Sequence, residues 1–352
     1  MRKIGVIGHF GGKEVFLDGQ TVKTKNFCRM AEEHGYTVFR VDTYLRAAHP
    51  FRLLLRTLRC MCFCRQIVIL LSVNGMNFYL PFLYLVNSIF HCKIYHDIIG
   101  SELLAMVDEN PRLVRYLNAL TVNWFEYESG AAHLREKGVH NVEVLPNCKV
   151  LMPVSVASCL VPRAAGGAMR FCTFSRVMEE KGITDAAESV AALAARGVPC
   201  ELDIYGAVDV AYRGTLELLL EKYAGTVRYC GTVDSEKSVQ TLCDYDALLF
   251  PTRWSGEGFP GTVLDAFAAG LPVLASDHNA NRELIEDGVC GLIYPGKHAK
   301  TLADAVLWAA ENREALHAMR LACRKTYDLY TPEAVWAKIS AKLEEDQKDG
   351  TK

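Results

Sequence analysis

A chain of 352 residues is long enough for two domains of ordinary size. Half of it is hydrophobic and 23% is charged, which excludes a disordered chain and fits one with a packed core. The formal charge of −2 gives no global case for nucleic acid, so a charged partner must be met by a local patch.

Met1-Arg2-Lys3 leads straight into the short apolar run "IGVIGHF". A secretory signal needs a longer apolar core and a small-residue cleavage site, so a cytoplasmic protein is expected. The thirteen cysteines, scattered through apolar runs, read as reduced and buried thiols. "KIGVIG" predicts a strand, and after a glycine-bearing loop "VKTKNFCRMAEEHG" predicts a helix closed by Gly35. "TVFRVD" is the next expected strand.

"PFRLLLRTLRCMCFCRQ" then reads as an amphipathic helix, with Arg52, Arg56 and Arg59 on one face and Leu54, Leu55, Leu58, Met61 and Cys62 on the other. Two readings stay open: a helix lying on an anionic membrane surface, or a core helix with a solvated basic face. Within it, Cys60 and Cys64 share a side and Cys62 points away. The spacing is not that of zinc ligands, and no metal site is expected.

Gln66 to Cys92 carries no Asp, Glu, Lys or Arg and is long enough to span a bilayer. A turn is expected at Asn74, Gly75 and Asn77, and Pro81 interrupts the apolar run beyond it. A buried strand "IVILLS" and a buried helix "FYLPFLYLVNSIF" therefore fit better. "KIYHD" and "NVEVLPN" complete the strands of the first half.

In the second half, "RFCTFS", "ELDIYG", "TVRYCG", "ALLFPT", "PVLAS" and "GLIYP" alternate with helical patterns, including "DAAESVAALAARG", a helix from about Gly261, and "ANRELIEDG". This rhythm predicts an α/β fold with parallel sheets covered by helices, and ligands at the carboxyl ends of the strands. The expected organisation is two Rossmann-like domains facing a central cleft. They span 1–150 and 169–330, joined by a linker over 151–168 marked by two prolines and Gly166-Gly167. Thr331-Pro332-Glu333 opens a C-terminal helix and tail, 331–352, that can pack back on the first domain.

Two stretches carry chemistry. Arg176 stands at the end of "RFCTFS", with Lys181 in the loop and Gly182 before the next helix. Two cations beside a helix N-terminus suit a diphosphate. "EGFPG" comes after "ALLFPT" at the same sheet edge. Its turn can present the backbone N–H groups of Gly258, Phe259 and Gly261, with Pro260 fixing the chain. Asp265 falls one helical turn further on, facing the same way as Glu257, and carboxylates accept from vicinal hydroxyls.

The run Arg176…Lys181-Gly182, "IYG" ending in Gly206, "CGTV", "EGFPGTVLDAFAAGLPV" and "SDHNANRELIEDGVCGLIYP" resembles the C-terminal domain of retaining GT-B glycosyltransferases of family four, over about residues 170–310. "GHFGGKEVFLDGQTVKTKN" and "VLPN" are similar to the polysaccharide-assembly members. The resemblance implies a C-terminal domain that binds a nucleotide-diphosphate sugar and an N-terminal domain that binds a saccharide or lipid-linked acceptor. Transfer would retain the anomeric configuration, without a cofactor or metal, in capsule or other surface polysaccharide synthesis.

It also implies that Arg176 and Lys181 neutralise the donor diphosphate, that Glu257 meets the donor sugar, and that Gly206 and Gly258–Gly261 line the donor. The second acid of the family's motif, a Glu holding the ribose, is Asp265 here, one methylene shorter. In the N-terminal domain, Gly19 and Gln20 match the family's glycine loop, and His96 matches a residue near the donor sugar. For His96 a hydrogen-bonded histidine at a strand end is the other reading. A nucleotide-sugar epimerase of the same fold and a non-catalytic sugar-nucleotide-binding subunit are the alternative functions.

Overall fold

The computed structural model describes residues 2–12, 19–46, 49–161 and 167–349. The chain divides into two compact units, Met1–Asn147 with Pro332–Lys352, and Cys148–Thr331.

The first unit carries β1 (Arg2–Gly8), β2 (Tyr36–Asp42), β3 (Gln66–Leu70), β4 (Lys93–Asp97), β5 (Val122–Phe125) and β6 (Val142–Val144), all parallel, in the order β2-β1-β3-β4-β5-β6. β3 is buried throughout, as its unbroken apolar run requires of a central strand covered on both faces. β5 was not expected from the sequence. Asn123 interrupts its apolar run, yet is buried because its amide donates to Leu117 O at 3.0 Å and Asn141 Oδ1 at 3.1 Å.

The C-terminal helix Pro332–Asp349 belongs to this unit. Gln66 Nε2 donates to Leu343 O at 2.8 Å and Tyr95 Oη to Asp346 Oδ2 at 2.9 Å, while Trp336 stacks on His34.

The amphipathic helix forms over Pro50–Phe63, with a face assignment different from the one expected. Leu53, Thr57, Cys60 and Met61 point inward, whereas Leu55, 67% exposed, and Cys62 lie outside with Arg52, Arg56 and Arg59. Phe51 and Phe63 are exposed there too. The next helix runs over Val73–Phe90, so the turn expected at residues 74–77 and the break at Pro81 both lie inside it. A proline interior to a helix removes one hydrogen bond, and the rest of this long helix carries it through. It is buried on one side only: Leu85 and Ile89 are exposed. The two helices meet through Thr57 Oγ1 and Tyr79 Oη, 3.2 Å apart. Among the described residues no helix is long and apolar enough to cross a membrane.

The second unit carries β7 (Met169–Phe174), β8 (Cys200–Tyr205), β9 (Val227–Gly231), β10 (Ala247–Phe250), β11 (Val273–Ser276) and β12 (Gly291–Tyr294). They too are parallel, in the order β12-β11-β10-β7-β8-β9. Its core packs the helices Ile183–Ala195, Arg213–Lys222 and Leu302–Glu311 on the sheet through Ile183, Val190, Leu216, Ala305 and Val306. The stretch "ANRELIEDG" forms only a single helical turn, Asn281–Leu284.

The expected linker is in part tied down within this unit. Val154 N–H donates to Ala268 O at 2.9 Å, Arg324 Nε donates to Val154 O at 2.8 Å, and Cys159 is buried. These bonds satisfy backbone groups that a free linker would leave to water. Residues 162–166 of that stretch, with Pro162 and Gly166, lie outside the described residues. So does most of the glycine-bearing loop after β1.

Candidate functional site

The strand order sets the site of the second unit. β7 leads outward to β8 and β9, while β10 lies on its other side, so the chain reverses direction between β7 and β10. At such a switch point the carboxyl ends of neighbouring strands splay open for ligands. β8, β7 and β10 bring Gly206, Arg176 and the 251–261 segment to one edge.

Gly206 has φ 137°, and a Cβ there would stand 1.7 Å from Ser175 O, so only glycine lets the chain pass this close to the residue before Arg176. Gly182 has φ 68°, and a Cβ would meet Pro251 O at 2.4 Å. Two loops are thereby pressed together, and Arg253 N–H donates to Glu180 O at 2.7 Å between them.

This approach assembles the cations. Lys181 is buried and ion-paired with Glu257, itself buried. Thr252 Oγ1 donates to the same Oε2 of Glu257 at 3.0 Å. Arg176 is exposed and stands over the indole of Trp254, 4.9 Å from the ring centroid, and Lys181 Nζ stands 4.6 Å from the same centroid. The ring quadrupole attracts both cations. The backbone of this turn is fixed: Trp254 O accepts from His278 Nε2 at 2.8 Å and from Glu257 N–H at 3.0 Å, and Glu257 O accepts from Asn279 at 2.6 Å. Trp254, Thr252 and Asn279 were not singled out from the sequence. The indole three residues before Glu257 was the one available signal.

The helix Gly261–Ala268 starts where expected and carries Asp265 one turn in. Thr262 Oγ1 donates to Phe174 O at 2.5 Å, which ties this helix to the end of β7. Pro260 precedes its first residue and is buried. The Phe259 side chain turns inward, with its ring 5.2 Å from that of Tyr330, and Gly258 is half-buried between Glu257 and Phe259.

Asp265, expected to face the same way as Glu257, is 1% exposed. Its Oδ2 accepts from Lys149 Nζ at 2.5 Å and its Oδ1 from Ser238 Oγ at 2.6 Å. Burial holds its carboxyl above the usual range, against the opposing pull of Lys149. The two acids of the motif are therefore each paired with a lysine. Lys149 lies 116 positions from Asp265, which is why local spacing did not reveal it.

In the first unit, Gln20 Nε2 donates to Leu70 O at 3.1 Å at the carboxyl end of β3. Gly19 begins the helix Gly19–Glu33, with open space where a Cβ would be. His96 is fully buried on β4. Its Nδ1 donates to Asn123 Oδ1 at 3.2 Å and its Nε2 has no hydrogen-bond partner. Burial lowers its pKa to about 4, keeping the ring neutral.

The sequence reading missed Lys23, which donates to Ile98 O at 2.9 Å and pairs with Asp97 at 2.7 Å and Glu126 at 2.8 Å. Burial works to lower its pKa, and the two carboxylates outweigh that and raise it. Among the described residues no group of three or more His, Cys, Asp or Glu is placed to hold a metal ion.

Similarity to known proteins is divided in the same way. The family described as Glycosyl transferases group 1 matches residues 168–312. The amylovoran biosynthesis glycosyltransferase AmsK of Erwinia amylovora is 28% identical over 160 residues, 44% of this chain and 39% of that protein. The match thus spans well under half the length of such curated relatives.

Several solved structures match nearly all of the chain, two of them as follows. Sucrose-phosphate synthase from Thermosynechococcus elongatus has a TM-score of 0.74 at 14% identity, covering 99% of this chain and 100% of that one. Anabaena HepE, solved with UDP-glucose, has a TM-score of 0.69 at 14% identity, covering 98% and 100%. Two parallel six-stranded sheets with flanking helices, matched along the chain in this way, define the GT-B fold. Residues 168–312 are the part of the chain that resembles the group 1 glycosyl transferases.

Proposed function

We propose that the chain transfers a sugar from a nucleotide-diphosphate sugar to a hydroxyl of a saccharide or lipid-linked acceptor, with retention of configuration, in cell-surface polysaccharide synthesis. One observation carries this reading: Arg176 and Lys181 rest on one indole beside Glu257, at the switch point of a sheet whose segment matches the group 1 glycosyl transferases. HepE, of the same fold, was solved with UDP-glucose, which supports a donor of that chemical class.

The second unit binds the donor. Arg176 and Lys181 take the charge that grows on the diphosphate as its bond to the sugar breaks, helped by backbone amides of Gly258–Gly261 at the start of the helix. Gly206 gives the diphosphate room beside Arg176, and Glu257 holds sugar hydroxyls. Asp265, buried with both oxygens engaged, supports the helix beside the ribose rather than holding its hydroxyls directly. The first unit binds the acceptor, with Gly19, Gln20 and His96 as its candidate residues.

The acceptor oxygen forms the new bond to the anomeric carbon on the face the leaving group departs. The acceptor's proton goes to the departing phosphate oxygen, and the nucleoside diphosphate leaves. No metal takes part in this scheme, because cations and helix-end amides carry the charge.

The protein works at the cytoplasmic face of the cell membrane. Residues 43–96 contain no Asp or Glu, while Arg52, Arg56 and Arg59 share the outer face of their helix with the apolar side chains of Phe51, Leu55 and Phe63. A basic face interleaved with exposed apolar side chains is of the kind that docks on anionic lipid.

A thermal-shift screen of the full chain against nucleoside diphosphates and sugar nucleotides tests the donor assignment. At least one sugar nucleotide is expected to raise the melting point. No shift with any of them overturns it.

A further inference from the structure

We propose that Glu257 is an internal counter-anion of the diphosphate site, displaced from Lys181 when a diphosphate binds and thereby freed for hydroxyl groups of the sugar. This rests on the donor assignment above. The buried Lys181 ammonium needs an anion to offset its desolvation, and in the ligand-free protein that anion is Glu257, steadied by Thr252.

Arg176, by contrast, is exposed and has no ion pair among the described residues. The two cations therefore hold unequal shares of negative charge while standing over the same ring. A diphosphate brings more charge than one carboxylate and more acceptor oxygens, so it can satisfy both cations at once. Glu257 then loses its partner at the moment the sugar attached to that diphosphate arrives beside it.

Trp254 is the positioning residue of this exchange. Its indole keeps Arg176 and Lys181 together whichever anion they face, and its carbonyl, held by His278, fixes the start of the turn. The consequence is an order of events. Diphosphate binding comes first, and a free sugar meets an acid that is already occupied.

The test is isothermal titration of the full chain with UDP, GDP, ADP and inorganic pyrophosphate, and with the sugar nucleotide that binds best. Glu257→Gln removes the competing charge and keeps the shape. It is expected to bind the diphosphate about threefold or more tighter than wild type, because an unpaired buried ammonium favours an incoming anion. The extra affinity that wild type shows for the sugar nucleotide over the diphosphate should shrink in the same variant.

Lys181→Met/Glu257→Gln should lose the gain. Diphosphate binding by folded Glu257→Gln that is equal to or weaker than wild type overturns the exchange, as does a double variant that binds as tightly as the single one. If Glu257→Gln does not fold, Thr252→Val decides: loosening the pair should tighten diphosphate binding, and unchanged or weaker binding overturns the proposal. Failure of wild type to bind any of these ligands is a different result, since it removes the donor assignment itself.

Discussion

Lys149 Nζ lies 2.5 Å from Oδ2 of Asp265, and Ser238 Oγ lies 2.6 Å from Oδ1, so both oxygens of a buried carboxylate are taken within its own unit. An acid so placed is part of the scaffold that sets the helix Gly261–Ala268 against the rest of the second unit.

Lys149→Met should therefore cost roughly 3 kcal/mol of stability, because it strands a buried charge, and Lys149→Met/Asp265→Asn should recover much of it. Burial raises the Asp265 carboxyl, and stability from such a group is present below its ordinary pKa and lost as pH rises through the folded value. The gap between the single and the double variant should accordingly widen as pH rises above the ordinary carboxylate range in urea unfolding. A gap that stays flat with pH would refute the pairing.

His96 leads to the opposite slope. Its pKa falls to about 4 through burial, below the ordinary histidine value, so protonation favours the unfolded chain between the two. Wild type should lose roughly 2 kcal/mol relative to His96→Gln between neutral pH and about pH 5, at 1.36 kcal/mol per pH unit. Denaturant melts at both pH values measure this difference, and parallel behaviour of the two proteins would contradict it.

Turnover separates the two cations from their platform. Arg176→Ala should lower kcat by roughly 10²-fold, the scale of one preorganised donor at a developing charge. Trp254→Ala leaves both cations in place and removes what aligns them, so its loss should be smaller, about tenfold. EDTA should leave the rate unchanged. Wild-type turnover in a folded Arg176→Ala, or complete loss in EDTA restored by a divalent ion, would reject the assigned roles.

The helix Pro50–Phe63 should bring the protein up with anionic liposomes in flotation at low salt, less so as salt rises, because screening shortens the reach of Arg52, Arg56 and Arg59. Leu55→Glu places an acid among exposed apolar side chains and should abolish flotation without changing the fold, since Leu55 is already in solvent. Flotation equal to wild type in that variant would assign the surface another role.

Periodicity and turn chemistry made most strands legible in advance, because a central parallel strand is an unbroken apolar run, as in β3 and β10, and a glycine closes the helix before Tyr36. They failed where a side chain finds its partner far away. Asn123 hides β5 by being polar and satisfied inside. Leu55 sits outside because burial on the Pro50–Phe63 helix runs along the stripe through Leu53, Thr57, Cys60 and Met61.

The same division holds at the site. The order of Arg176, Lys181, Glu257 and Asp265 along the chain already named the residue types and the strand ends that carry them, since strand position dictates loop position in a doubly wound sheet. Which charge faces which was decided only in three dimensions. Lys181 lies 76 positions from Glu257 and Lys149 lies 116 from Asp265, and a pairing between such distant groups depends on the packing that brings their segments together.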